Sequence, residues 1–252
     1  MENFYRCMFD ICRITGYINL SSDKQEKQSN WSIQMFRTPS VSESWKIFVN
    51  AVLAGLFIGI AGTVYLACPY SVLGAFLFGF GLLTIVCNNF KLYTGAVGYL
   101  AIQGKNTYYY LFVLLWIWLG NLLGCFAVGS AVRATRSFMG LSIAGKAAKI
   151  CVAKINDSPW SLLILAFFCG ILMYLAVETF KREDLNPVIR MTNVFLCVAV
   201  FILCGFEHCI ANMYYFSVAG AWSRDVFLLV LLMTLGNSLG GMLLPIADKF
   251  RK

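Results

Sequence analysis

Gly205-Phe206-Glu207-His208-Cys209-Ile210-Ala211-Asn212 (GFEHCIAN) sets two ionisable side chains in the middle of an apolar stretch, Met191–Ser223. Burying a charge at that depth in a membrane costs at least roughly a few kcal/mol, so such groups are rarely idle. A satisfied structural pair is the plain alternative, with Glu207 holding a backbone break and His208 hydrogen-bonded in a core. In this setting function is the better reading for His208. For Glu207, support of the break is already a sufficient reason to exist. The stretch is too long for one straight span and too apolar for a loop, so a helix broken near His208 is expected.

The rest of the chain agrees. Of 252 residues, 60% are hydrophobic and 13% charged, against roughly 25% charged in soluble domains. Mean hydropathy is +0.73. No soluble core could hide that much apolar surface, which excludes a disordered chain, a coiled coil and a secreted disulfide scaffold. The ten cysteines form no CxxC pair and lie mostly in apolar runs, as Cys68, Cys125, Cys169 and Cys197 do. They read as small core hydrophobes. One histidine in the chain leaves little to complete a metal site.

A spanning helix needs about 20 apolar residues. Ile47–Leu66, Tyr108–Val132, Ser158–Val177 and Val226–Ala247 supply them without an Asp, Glu, Lys, Arg or His. Cys68–Gln103 is a second long, interrupted stretch. Its break reads Asn88-Asn89-Phe90-Lys91-Leu92-Tyr93-Thr94-Gly95 (NNFKLYTG), and Thr94 opens the second half-span, where a hydroxyl could cap free N–H groups or face a pore. The expected fold is an all-α integral membrane protein of six transmembrane helices, the second and fifth broken.

The halves echo each other. Ala54-Gly55 matches Cys169-Gly170 at an offset of 115, and GNLLG (120–124) matches GNSLG (236–240) at 116. The breaks near Thr94 and His208 lie 114 apart. Three landmarks in one order point to a repeat. Three spans per copy invert the second copy, the 3+3 plan of channels and transporters whose sites lie where broken helices meet. Half-helices starting near the midplane would aim their positive ends there, which suits an anion. The expected organisation is a cytoplasmic tail with a short amphipathic helix over residues 1–45, a first repeat over 46–132, a basic extracellular or periplasmic loop over 133–157, an inverted repeat over 158–248 and a cytoplasmic tail over 249–252.

Six spans put both termini on one side, and the Lys/Arg bias chooses it. With termini inside, inside segments carry thirteen Lys and Arg and outside segments six. Five of those six sit in the 133–157 loop, where a basic funnel could gather anions. In the tail, Phe4, Met8 and Ile11 share a helical face beside Arg6 and Arg13. That face suits a membrane surface or a partner, with a gating lid as the alternative.

GFEHCIANMYYF resembles the signature of the formate/nitrite transporter family. LYTG resembles its loop after the second span, and GNSLGG its last-span glycine motif. The likeness runs over about residues 40–250. It implies an aquaporin-like six-helix protomer in a homopentamer, one pore each, in a cell membrane (bacterial inner or plasma). It also implies passage of hydrosulfide, formate, nitrite or their weak acids. By position, His208 resembles the central pore histidine, Glu207 and Asn212 its motif neighbours, Thr94 the pore threonine and Asn237 the last-span asparagine. Phe78 and Leu82 resemble one hydrophobic constriction and Phe201 the opposing one. Lys154 resembles the vestibule lysine. Tyr93 stands where the family often has Phe, Lys91 where formate channels often have an acidic residue, and Tyr174 where some members have Asn; the GILMYLAV stretch that holds Tyr174, and the basic Lys91, lean toward the hydrosulfide branch. Expected partners are the lipid bilayer, the transported anions and further copies of the chain, with no cofactor and no nucleic acid.

A naked anion in an apolar constriction faces a Born cost on the order of tens of kcal/mol. One histidine cannot offset that by charge, so neutralisation is the consistent mechanism. Lys154 and the basic loop gather the anion, Thr94 and the helix ends share its charge, and His208 donates a proton through water. The neutral acid then passes Phe78, Leu82 and Phe201. An aquaporin-like channel for water or ammonia is the alternative. Paired Asn-Pro-Ala loops are absent, and the single histidine does not make the pair an ammonium channel would use. An enzyme would need clustered polar groups that the interior lacks.

Overall fold

In a computed structural model the described residues are 41–251, and all regular structure among them is helical. The amphipathic tail helix and residues 1–40 lie outside them. The helices are α1 (Val41–Ala67), α2 (Ser71–Cys87), α3 (Tyr93–Ala96), α4 (Thr107–Arg133), α5 (Arg136–Gly140), α6 (Ile143–Ile155), α7 (Pro159–Lys181), α8 (Pro187–Leu203), α9 (Cys209–Ala219) and α10 (Arg224–Arg251). A 3-10 stretch, Val97–Ile102, continues α3.

Among the described residues four helices are long and apolar enough to cross a membrane: Glu43–Ala67, Gly104–Arg133, Pro159–Lys181 and Arg224–Arg251. These are the four uninterrupted spans expected from sequence. Between them lie the two interrupted stretches, α2 with α3 and α8 with α9. Large apolar side chains on the outer faces stay uncovered, among them Phe76, Phe80, Phe112, Leu115 and Leu196. Lipid solvates such a surface, whereas water would not.

Small residues let the long helices close. A Cβ on Gly55 would strike the backbone of Asn121, and one on Gly170 would strike the backbone of Asn237. Gly120 likewise faces Ala51 and Phe48, and Gly236 faces Ala166 and Leu163. The α1–α4 and α7–α10 contacts are therefore the same contact made twice, at the offsets read from sequence.

Most of the connection over 133–157 is helical. In α6, Ile143, Ala147 and Cys151 recur every fourth residue and are buried, and the helix packs on α9. Lys146 Nζ donates to the Cys68 carbonyl and ties α6 to the turn after α1. The lysines hid that apolar stripe in the sequence.

Candidate functional site: a hydrogen-bonded pair between two pinned helix breaks

Backbone N–H and C=O groups freed inside a membrane must find partners within the protein. Two asparagines provide them. Asn121 on α4 accepts from Tyr93 N–H at 2.9 Å and donates to the carbonyls of Ala51 and Lys91, each at 2.8 Å. Asn237 on α10 accepts from Cys209 N–H at 2.8 Å and donates to the carbonyls of Ala166 at 2.7 Å and Glu207 at 2.8 Å. Both are wholly buried.

The surrounding backbone repeats as well. Phe90 N–H bonds Ile85 O at 3.0 Å, and Phe206 N–H bonds Phe201 O at 2.8 Å. Lys91 N–H bonds Asn50 O and Glu207 N–H bonds Leu165 O, both at 3.2 Å. Each break passes through one left-handed residue, Asn89 at φ 55° and Gly205 at φ 68°, conformations that asparagine and glycine tolerate best. The register is thus 116, from Asn89 to Gly205. It pairs Lys91 with Glu207 and Leu92 with His208. This corrects the offset of 114 between Thr94 and His208, which are not equivalent positions.

Thr94 and His208 instead meet. Thr94 Oγ1 lies 3.0 Å from His208 Nε2, with Thr94 at 0% and His208 at 2% exposure. Of the two roles open to Thr94 from sequence, a helix cap or a hydroxyl facing a pore, the cap is not the one it takes. Leu92 occupies the N-cap of α3, and no side chain caps it. His208 is itself the N-cap of α9, its Nδ1 accepting from Ala211 N–H at 3.1 Å. With Nδ1 engaged as acceptor, the neutral ring carries its proton on Nε2 and donates it to Thr94 Oγ1. The Thr94 hydroxyl proton is then left to point elsewhere.

Aromatic rings crowd the pair. Phe201 lies 5.5 Å from the His208 ring, and Phe78 meets Phe201 edge-on at 6.0 Å. Leu82, one turn along α2 from Phe78, is buried with it. On α6, Lys154 reaches Glu207 at 2.5 Å, with side-chain exposures of 13% and 6%. Asn212 Nδ2 donates to the same carboxylate oxygen at 2.6 Å and touches Met233 Sδ at 2.9 Å.

Of the residues expected from sequence, His208, Thr94, Phe78 and Phe201 form one contiguous set. Lys154, Glu207 and Asn212 form a second, joined to it through the Glu207–His208 peptide. Asn237 lies behind the break as a pin. Lys91 stands apart, on the Asn121 side. Sequence reading used GNLLG as a landmark and passed over Asn121 as a site residue. The signal was the same match, because an asparagine repeated at 116 in a buried helix needs a polar reason.

A family model described as "Formate/nitrite transporter" matches residues 33–247. The chain is 29% identical to a formate-nitrite transporter of Plasmodium malariae over 210 residues, covering 71% of this chain and 66% of that protein. It is 25% identical to the nitrite transporter NirC of Escherichia coli (strain K12), over 81% of this chain and 88% of that one. A solved structure described as a pentameric formate channel with formate bound superposes with a TM-score of 0.72 at 25% identity, covering 84% of this chain and 98% of that one.

Proposed function

The chain belongs to the formate/nitrite transporter family, and on that premise we propose that it is a multi-pass membrane channel passing small monovalent anions through a pore centred on His208 and Thr94. The observation that carries this reading is the Thr94–His208 hydrogen bond, at 3.0 Å between two helix breaks whose backbone is pinned in the same way. The repeated pins also support an inverted 3+3 plan of six spans. The formate and nitrite relatives support those two anions as cargo, and the pentameric relative supports a homopentamer. Tyr174 in its GILMYLAV stretch and Lys91 favour hydrosulfide as a third candidate.

The mechanism is neutralisation. Phe78, Leu82 and Phe201 exclude water, so a bare anion there would lose its solvation at a cost of order tens of kcal/mol. His208 offers one proton, on Nε2. Giving it up outright would leave an imidazolate, so the ring shares that proton with the anion while the net proton arrives from water at the mouth. The Thr94 hydroxyl offers a second donor once His208 holds its oxygen. The neutral acid then crosses the aromatic plugs.

The test is purified protein in liposomes supplied with formate, nitrite and hydrosulfide in parallel at two pH values. Uptake of at least one, faster at the lower pH, is expected, and the ranking names the cargo. Passage of water or ammonia with none of the three would favour the aquaporin-like alternative.

A further inference from the structure

The 116-residue register sets Lys91 where the other half has Glu207. Their backbones are held alike, each carbonyl on a buried asparagine and each N–H on a long helix. Their side chains are not. The Glu207 carboxylate is closed by Lys154 and Asn212. The half-buried Lys91 ammonium has no ion pair or hydrogen bond among the described residues. A partly desolvated cation without a counter-ion is an open invitation to an anion.

Its surroundings reinforce that charge. Lys181, at the end of α7, donates to Tyr99 Oη at 2.6 Å and sits 4.3 Å from the Tyr99 ring centre, while Tyr99 donates to Glu178 Oε2 at 2.6 Å. Glu178 is thereby engaged within α7 and the 3-10 stretch. Lys181 feels the charge of Lys91 as well as that of Glu178. Asp248 is taken up by Arg251, and Lys249 binds the Ala101 carbonyl. Glu183 is exposed, and no described carboxylate forms an ion pair with Lys91. Lys154 reaches Glu207, whose N–H lies on Leu165 of α7, and Lys181 is 16 residues farther along that helix, a separation of roughly 24 Å along its axis.

We propose that Lys91, with Lys181 near it, is an anion-binding station on the opposite side of the Thr94–His208 pair from Lys154, where a small monovalent anion rests before or after passing that pair. The station rests on the anion-pore reading and adds a second, separate site to it. Its occupant is the counter-ion that Glu207 has in Lys154 and that Lys91 lacks.

The experiment uses nitrite and formate as probes on inside-out and right-side-out membrane vesicles carrying the full chain. Lys91→Gln should raise the half-saturating concentration about threefold to tenfold in one vesicle orientation and leave the other unchanged, the size expected for one partly screened charge. The maximal rate should hold, and added salt should weaken wild-type entry from that side more than entry in the variant. Lys91→Arg should behave as wild type, which separates loss of charge from loss of fold. Unchanged half-saturation in Lys91→Gln, an equal change in both orientations, or a Lys91→Arg as impaired as Lys91→Gln would overturn the station while leaving the pore in place. A wild type moving neither anion would overturn the pore reading, and the station with it.

Discussion

Between α2 and α3, and again between α8 and α9, the backbone takes one path. It passes a left-handed residue at Asn89 or Gly205, an N–H bonded to a long helix, and a carbonyl and an N–H clasped by Asn121 or Asn237. Beyond the pins the two halves diverge. The α9 helix runs 11 residues and is capped by His208, whereas α3 runs four, has no side-chain cap and passes into a 3-10 stretch. At the matched position stands a neutralised Glu207 in one half and an open Lys91 in the other. The comparison separates two requirements. Holding a broken helix in a membrane fixes the backbone and its pins, and these are the same in both halves. On the proposed pore reading, handling an anion sets the side chains between the breaks, and these are complementary: a ring that caps its own helix with one nitrogen and offers the other to a hydroxyl of the other half.

The sharpest way to break this comparison is at the matched charges. Glu207→Leu takes the partner from the part-buried Lys154 ammonium and should cost about 2–3 kcal/mol, whereas Lys91→Leu breaks no pair among the described residues and should cost less than about 1 kcal/mol. Thermal unfolding in detergent reads both, and equal losses would mean that Lys91 has a counter-ion after all.

The pins come next. Asn121→Ala and Asn237→Ala each leave one break N–H (Tyr93 or Cys209) and one break carbonyl (Lys91 or Glu207) without a partner, and remove a second bond from the helix carbonyl of Ala51 or Ala166. An unsatisfied buried group costs about 1–3 kcal/mol, so each variant should lose at least about 2 kcal/mol by the same unfolding measurement. The two losses should agree within about 1 kcal/mol, and a variant that unfolds like wild type would show its pin to be dispensable.

A smaller effect is expected at the helix crossings. Gly55→Ala and Gly170→Ala push a methyl into the backbone of the facing asparagine, and overpacking of that kind costs about 1–3 kcal/mol. Comparable losses in the pair, against little change for Gly145→Ala, which meets nothing within 4 Å, would sharpen the claim that one contact is used twice.

Much of this was legible from residue order. Four charge-free runs of about twenty residues pointed to the long helices, and an ionisable pair in the middle of an apolar run pointed to the break at His208. The glycine motifs pointed to the repeat. The features that stayed hidden depend on three dimensions. Thr94 at a helix start could be a cap or a pore hydroxyl, and only the fold shows its oxygen on His208. The stripe of Ile143, Ala147 and Cys151 was masked by Lys146, Lys149 and Lys154 on the same short helix. The partnership of Lys154 with Glu207 spans 53 residues, beyond any local pattern. Asn121 was visible and undervalued, because a polar residue in a glycine motif reads as part of the motif until its three bonds are seen.

The most direct test of the pore is anion uptake by wild-type protein and His208→Asn in liposomes at two pH values. With the Nε2 proton gone from beside Thr94, uptake of formate or nitrite should fall by at least about tenfold, roughly 1.4 kcal/mol in barrier height, and its acceleration at the lower pH should flatten. Uptake at the wild-type rate with the wild-type pH dependence would contradict a pore centred on His208.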